Sequence, residues 1–123
     1  MNRVAVGVAG VLGLSGVALG AFGAHGLRER LGTGMLDVYR TGVLYHLVHA
    51  LVALAVALAA DRVRRSSLIV TFLALGVVVF SGSLYALALT RISQLGAITP
   101  IGGLCFMVAW ALVIAEALPK RSS

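Results

Sequence analysis

The stretch Gly20–Leu27, with the sequence GAFGAHGL, decides how this chain folds. It ends an apolar run that begins at Val4, and it places His25 where that run meets the first charged cluster, Arg28–Arg30. Three further apolar runs follow, with basic residues beside them. About 20 apolar residues cross the ~30 Å hydrocarbon core of a bilayer as a helix. The sequence therefore predicts four membrane spans, at about residues 4–24, 41–60, 68–90 and 100–118.

The composition fits this assignment. Of the 123 residues, 60% are hydrophobic and 11% are charged, whereas a soluble domain has about 25% charged residues. Four spans use about two thirds of a chain of this length, so little remains for a soluble domain. We predict a single all-α domain, an integral membrane four-helix bundle over residues 1–123 with a short amphipathic turn in the interface after the first span.

The net charge of +6 comes from basic residues beside the spans, which indicates contacts with membrane lipids and a topology signal, and no nucleic acid. Basic residues favour the cytoplasmic side. The two ends of the bundle differ in their basic residues, with Arg3, Arg62, Arg64, Arg65, Lys120 and Arg121 on the side of the termini and Arg28, Arg30, Arg40 and Arg91 on the other. We therefore expect both termini in the cytoplasm and the protein in the bacterial inner membrane.

Four glycines of the first span, Gly13, Gly16, Gly20 and Gly23, recur at spacings of three and four, so they share one stripe of a helix. In lipid, small residues let helix backbones approach closely. The stripe predicts a packing face. It serves either packing within the chain or a homo-oligomer that forms through the first span.

Local signals predict where the later helices begin. After the first span we expect a new helix from near Met35, with Thr33 as its cap. Ser66 or Ser67 is suited to cap the third span. Thr99 followed by Pro100 is typical of the start of the fourth, since proline at the first helical position loses no hydrogen bond.

Polar side chains inside the spans fall mostly in one half of the membrane. His49 and Ser81 each lie ~13 to 15 Å below the outer boundary at ~1.5 Å per residue. The others lie shallower, and His25 lies at the rim. Together they predict a polar pocket that faces the periplasm, formed by His25, Tyr45, His46, His49, Ser81, Ser83 and Tyr85.

Three interpretations of this pocket remain open. It is an interhelical hydrogen-bond network, a site for a small ligand, a lipid or protons, or a metal or haem site built on His25, His46 and His49. No acidic residue lies in that half of the spans to support the metal interpretation. Signatures of metalloproteases, phosphate-binding loops and nucleophile elbows are missing from the sequence, so we predict no enzyme and assign no cofactor.

Four blocks of this sequence resemble one known family. They are Gly20–Leu27, the segment YHLVH over 45–49, the run FSGSLY over 80–85, and PIGG over 100–103 with Phe106 and Trp110. The chain is similar to the small bacterial inner-membrane proteins of unknown function that include YgdD and YwdK, which are related to an animal transmembrane protein. The resemblance implies a compact four-span membrane protein and brings no activity or cofactor.

The leading functional interpretation is a non-enzymatic membrane protein whose pocket binds a small ligand or lipid or carries protons. The alternative is a structural or accessory protein that acts through partners, in which the same polar residues only hold the helices together.

Overall fold

The computed structural model describes residues 1–120, so Arg121, one of the basic residues counted above, lies outside the described part. Four helical segments in it are long and apolar enough to cross a membrane: Arg3–Leu27, Gly32–Leu58, Ser66–Thr90 and Ser93–Ala117. They form a four-helix bundle, which confirms the predicted all-α membrane fold. Within residues 1–120 there is no β-strand.

The four segments divide into five α-helices with three short departures from α geometry. The helices are α1 (Arg3–Phe22), α2 (Gly32–Leu58), α3 (Ser66–Gly76), α4 (Gly82–Thr90) and α5 (Thr99–Ala117). A π-helical turn, Gly23–Leu27, extends α1, and a second one, Val77–Ser81, joins α3 to α4. A 3₁₀ turn, Ser93–Ala97, precedes α5.

Helix α2 is central to the bundle because it packs against α1, α3 and α4. Its contact face carries Ala50, Ala53 and Ala57, all buried, and these small side chains let the neighbouring backbones approach closely. Helix α5 instead packs mainly on α3 and on the π turn Val77–Ser81, so it lies at an edge of the bundle. This arrangement leaves a groove on the surface between α2 and α5.

Three of the four stripe glycines pack α1 onto α2 within the chain. A Cβ atom on Gly16 would lie 2.7 Å from Cδ2 of Leu47, and one on Gly20 would lie 3.2 Å from Cγ1 of Val43. Gly23 faces the ring of Tyr39 at still closer range. Gly13 differs, since nothing lies within 4 Å of its Cβ position.

The connection after the first span folds back onto the bundle. Leu27, Leu31, Leu36 and Tyr39 are buried together, while the charged residues 28–30 are exposed, as an amphipathic turn requires. The prediction that the next helix begins near Met35 with Thr33 as its cap is wrong. Helix α2 begins at Gly32, whose φ of +71° favours glycine. The sharp turn at this residue lies between Leu31 and Leu36, which are both buried.

Both predicted caps of the later helices are also wrong. Neither Ser66 nor Ser67 caps α3, which has Arg65 at its N-cap position and no side-chain cap. Just before α3, the carboxylate of Glu116 at the end of α5 accepts hydrogen bonds from the backbone N–H groups of Arg64 at 2.9 Å and Arg65 at 3.2 Å. Thr99 lies inside α5 and bonds to another helix instead of capping its own. In both places the polar groups bond to another helix and form no local cap.

Candidate functional site

In the π turn Val77–Ser81, the consecutive residues Phe80 and Ser81 contact different neighbouring residues. Ser81 is fully buried and donates a hydrogen bond to the carbonyl oxygen of Gly42 on α2 at 2.7 Å. The preceding Phe80 packs against Tyr45 and Phe106, with ring centroids 4.6 and 5.4 Å away. Isolated π turns inside α-helices are frequent at functional sites. This one brings Phe80 to the groove between α2 and α5.

His46 joins three helices through both of its ring nitrogens. Nδ1 lies 2.9 Å from the hydroxyl of Tyr85 on α4, and Nε2 lies 3.1 Å from Oγ of Ser15 on α1. Ser15 Oγ in turn donates to the carbonyl of Leu12. We call Ser15, His46 and Tyr85 the His46 network. His46 itself is buried, so the network belongs to the interior of the bundle.

His49 has both ring nitrogens committed as well, and its partners fix its tautomer. Nδ1 donates to the carbonyl oxygen of Tyr45 at 2.7 Å, since a carbonyl can only accept. Nε2 accepts from Nε1 of Trp110 at 3.2 Å, since an indole can only donate. The imidazole is therefore neutral in this arrangement. It stacks on Phe106 with a centroid distance of 3.7 Å and an interplanar angle of 10°.

Tyr45 lies beside this stack, and aromatic contacts hold its ring in place. The ring stacks on His49 at 5.8 Å and contacts Phe80. Its side of α2 is partly open, with 40% of the residue exposed. Within residues 1–120 the Tyr45 hydroxyl makes no hydrogen bond.

These aromatic residues line a groove of about 600 Å³ that is open on one side. We call it the α2–α5 groove, and it is lined by Tyr45, His49, Phe80, Pro100, Gly103, Leu104, Phe106, Met107 and Trp110. None of these lining residues carries a formal charge when His49 is neutral. The site thus offers apolar and aromatic contact together with a single uncommitted phenol.

Six of the seven predicted pocket residues take part in four separate sets of contacts. Tyr45 and His49 line the α2–α5 groove, while His46 and Tyr85 belong to the His46 network. Ser81 bonds to α2. Ser83 joins α4 to α5 through Oγ1 of Thr99 at 2.6 Å.

His25 lies apart from the other histidines. It is exposed in the π turn Gly23–Leu27, and it does not come together with His46 and His49. Among residues 1–120 no three histidine, cysteine or acidic side chains are grouped as metal ligands. His25, His46 and His49 therefore do not form the three-histidine ligand set that the sequence left open.

Sequence reasoning missed several residues of the site. Ser15 escaped notice because it stands among the stripe glycines, although a lone hydroxyl on an apolar helix was a usable signal. Phe106, Trp110 and Gly103 were named only as members of the fourth block that resembles the family. Their role depends on which face of α5 meets α2, and that face is not marked by any polar residue.

Four apolar spans and an interior held together by uncharged polar side chains define a multi-pass integral membrane protein. Residues 19–103 match the family described as "Protein of unknown function (DUF423)". The chain belongs to this family, as the four sequence blocks indicated.

Its relatives are similar over most of their length. The chain is 45% identical to the UPF0382 membrane protein YwdK of Bacillus subtilis over 108 residues, covering 85% of this chain and 88% of the relative. It is 42% identical to the UPF0382 inner membrane protein YgdD of Escherichia coli over 114 residues, covering 89% and 86%. A UPF0382 membrane protein of Staphylococcus epidermidis is 40% identical over 106 residues, covering 83% and 84%. No solved structure matches the chain.

Proposed function

We propose that this membrane protein binds a lipophilic ligand in the α2–α5 groove. The observation that carries the proposal is the contrast between Tyr45 and its neighbours. The Tyr45 hydroxyl has no partner in residues 1–120, whereas His49 and Trp110 beside it satisfy each other. A polar group without a partner in hydrocarbon is costly. A ligand that accepts a hydrogen bond from Tyr45 removes that cost.

The size and lining of the groove support the same proposal. Ligand sites are typically concave, about 300 to 1,000 Å³ in volume, and lined by apolar and aromatic side chains with few polar groups. The α2–α5 groove has about 600 Å³. The ligand is expected to be largely uncharged where it lies in the groove, because no lysine, arginine or acidic residue lines it.

The location of the groove in the cell follows from a further proposal about topology. We propose that the protein lies in the bacterial inner membrane with both termini in the cytoplasm, on the basis of the basic residues counted above. In this orientation Pro100, at the start of α5, lies at the periplasmic end of the groove, and Trp110 lies at its cytoplasmic end. A reporter fused after Ser123 that is active only in the periplasm would contradict this orientation.

The His46 network supports a second candidate role, in helix packing. Its chain of hydrogen bonds runs laterally from α1 through α2 to α4, and its Ser15 end stops at the carbonyl of Leu12. A lateral chain suits a structural connection better than a proton path from one side of the membrane to the other. We therefore assign ligand binding to the groove and helix packing to the His46 network.

Native mass spectrometry on gently purified protein tests ligand binding. Gly103→Leu fills the groove, because the Cβ position of Gly103 is clear of protein atoms to 3.9 Å. The matched control is Gly10→Leu on the exposed face of α1, where nothing lies within 4 Å. We expect a bound mass on the wild type and on Gly10→Leu, and its loss from Gly103→Leu.

Two results would overturn the proposal. One is a wild-type protein that carries no bound mass in any of several mild detergents or in nanodiscs. The other is a Gly103→Leu variant that is folded and retains the same bound mass at the same occupancy as the wild type.

A further inference from the structure

We infer that the end of the bundle that carries Met1 binds the phosphate group of an anionic membrane lipid. The site is a polar cavity of about 450 Å³ between the connection 59–65 and the end of α5, and Arg62, Ser66 and Lys120 line it. We call it the basic cavity. It shares no lining residue with the α2–α5 groove, so the inference does not depend on the proposed function.

The basic cavity lies at the level where membrane lipids carry their phosphates. Helix α2 ends at Leu58, Arg62 follows it in the connection, and Ser66 begins α3. Lys120 comes three residues after α5 ends at Ala117. Three helices thus end or begin at this cavity, at the boundary of the apolar spans. The head groups of a bilayer lie just outside its hydrocarbon core, beside such helix ends.

Bonds from two sides hold the connection 59–65 in place. On one side, the amino group of Met1 pairs with Asp61 at 3.3 Å. On the other side, Glu116 on α5 accepts a hydrogen bond from the backbone N–H of Arg64 at 2.9 Å. Arg62 lies between these two anchor points, and its own backbone N–H closes a turn within the connection. A ligand that binds Arg62 therefore meets a backbone that is already ordered, which lowers the entropic cost of binding.

No acidic side chain among residues 1–120 pairs with Arg62 or Lys120. The whole chain has four acidic residues, and two of them belong to the opposite end of the bundle, after the first span. The other two also line the cavity and are committed, Asp61 to the N-terminal amino group and Glu116 to the arginines just before α3. Arg62 and Lys120 are therefore available to an anion that comes from outside the described part of the chain.

A buried hydroxyl in the same cavity is also available. Ser66 is only 8% exposed, and it lines the cavity. It does not cap α3, and its hydroxyl makes no hydrogen bond within residues 1–120. Burying a hydroxyl without a partner costs free energy. A ligand oxygen that accepts from Ser66 beside the two cations removes this cost.

This set of donors suits a phosphate. Arginine offers a planar fork of donors and lysine a compact charge, and both form strong charge-assisted hydrogen bonds with phosphate oxygens. The hydroxyl of Ser66 adds a neutral donor. The position at the helix ends favours a lipid as the source of the phosphate, because basic residues beside membrane helices bind anionic head groups. Leu118, which is exposed and lines the same cavity, offers contact to the hydrocarbon below the head group.

The test compares two lipids that differ only in the phosphate head group. The protein is incubated in detergent with an equimolar mixture of phosphatidylglycerol and the diacylglycerol that has the same acyl chains, and native mass spectrometry measures how much of each is retained. Arg62→Gln/Lys120→Gln removes two exposed charges that form no ion pair within residues 1–120, so this variant is expected to fold. The matched control, Arg28→Gln/Arg30→Gln, removes the same charge from exposed residues at the opposite end of the bundle.

We expect the wild type to retain phosphatidylglycerol in clear excess over diacylglycerol. Each charge removed from the cavity should lower the retention of phosphatidylglycerol about fivefold, so the Arg62→Gln/Lys120→Gln variant should retain about 25-fold less. Ser66→Ala should lower it about threefold, which corresponds to one hydrogen bond in a membrane protein. Retention of diacylglycerol should not change, and the control at the opposite end should bind both lipids like the wild type.

The outcomes separate this site from the alternatives. Unchanged retention of phosphatidylglycerol in the Arg62→Gln/Lys120→Gln variant, or an equal loss in both double variants, overturns the basic cavity as a specific site. Loss of phosphatidylglycerol from Gly103→Leu places the lipid in the α2–α5 groove instead. Displacement of the lipid by millimolar inorganic phosphate assigns the cavity to a soluble anion. Phosphatidylglycerol that stays on Gly103→Leu and leaves the Arg62→Gln/Lys120→Gln variant supports the inference, whether or not a ligand occupies the groove.

Discussion

Nε1 of Trp110 donates a hydrogen bond to Nε2 of His49 at 3.2 Å, and this bond connects α5 to α2 across the α2–α5 groove. Helix α5 otherwise rests mainly on α3 and on the π turn Val77–Ser81. The stack of His49 on Phe106 lies beside the bond. Two side-chain contacts thus hold the two walls of the groove at a fixed distance.

The Trp110–His49 bond should appear as a coupling free energy. We expect Trp110→Phe and His49→Leu to couple by about 0.6 kcal/mol, and by no more than about 2 kcal/mol, the range for hydrogen bonds between membrane helices. The measurement is the free energy of unfolding in a detergent titration of both single variants and the double variant. Ser83→Ala, in a separate contact with Thr99, should be additive with Trp110→Phe. Equal coupling in both pairs would argue against a specific bond.

The His46 network should behave as one unit. Ser15→Ala and Tyr85→Phe each remove one bond to the imidazole, so each should lower the free energy of unfolding by about 0.6 to 2 kcal/mol. In a His46→Leu background Tyr85→Phe should have no further effect, and Ser15→Ala should have a smaller one, because Ser15 still loses its bond to the Leu12 carbonyl. Destabilisation by Ser15→Ala that is as large in that background as in the wild type would show that its bond to His46 contributes nothing.

Two neighbouring glycines of α5 should tolerate an added methyl group very differently. A Cβ on Gly102 would lie 2.6 Å from the backbone Cα of Phe80, which cannot move aside without shifting the π turn. A Cβ on Gly103 meets only ordinary contact at 3.9 Å. We expect Gly102→Ala to lower the melting temperature strongly or prevent folding, and Gly103→Ala to be near neutral. Similar melting temperatures for the two variants would contradict the observed packing of α5.

The stripe glycines of α1 should also separate into two kinds. Gly16→Leu should disrupt the packing of α1 on α2, because the added side chain meets Leu47 and His46. Gly13→Leu should leave stability unchanged, since its Cβ position is open. The mass of Gly13→Leu in detergent tests the homo-oligomer proposed through the first span. A wild-type dimer that becomes a monomer in Gly13→Leu would support that proposal, and an unchanged mass would remove Gly13 from any such interface.

Glu116 should protect from hydrogen exchange two backbone N–H groups in the connection that leads into α3. Its carboxylate accepts from the amides of Arg64 and Arg65 and also pairs with the Arg65 guanidinium at 3.2 Å. We expect Glu116→Ala to speed hydrogen exchange at both amides, and Glu116→Gln to have a smaller effect, since one acceptor oxygen remains. Asp61→Ala provides the acidic control at the same end of the bundle. Faster exchange at Arg64 and Arg65 in that control as well would mean that loss of negative charge, and not loss of the Glu116 hydrogen bonds, is responsible.

The four spans could be predicted from sequence because uninterrupted apolar runs between charged residues are direct signals of membrane helices. The rotation of each helix about its own axis could not be predicted from sequence. In a span such as α5 nearly every side chain is apolar, so no polar face marks which side turns inward. For this reason the sequence identified His46 and His49 as interior groups but not their partners Ser15 and Trp110.

The connections were harder to predict than the spans. Tyr39 lies two residues from Asp37 and next to Arg40, in a segment that reads as polar, yet it is almost fully buried beneath α1. Glu116 lies near the end of the last span, and no local signal indicates that its carboxylate bonds to the backbone just before α3. Both contacts escape sequence reasoning for one cause, since each is made to a helix distant in sequence. Whether the predicted pocket residues lie together likewise depends on contacts between helices, and the spacing of residues along one helix does not reveal those contacts.

Trp110 is the single tryptophan of the chain, and it lines the α2–α5 groove. The tryptophan emission of the unmodified protein therefore reports on this site alone. An occupant that changes the surroundings of the indole, or a bromine atom on a lipophilic ligand, changes the emission without any attached label. The protein carries its own optical probe at the place where its ligand is proposed to bind.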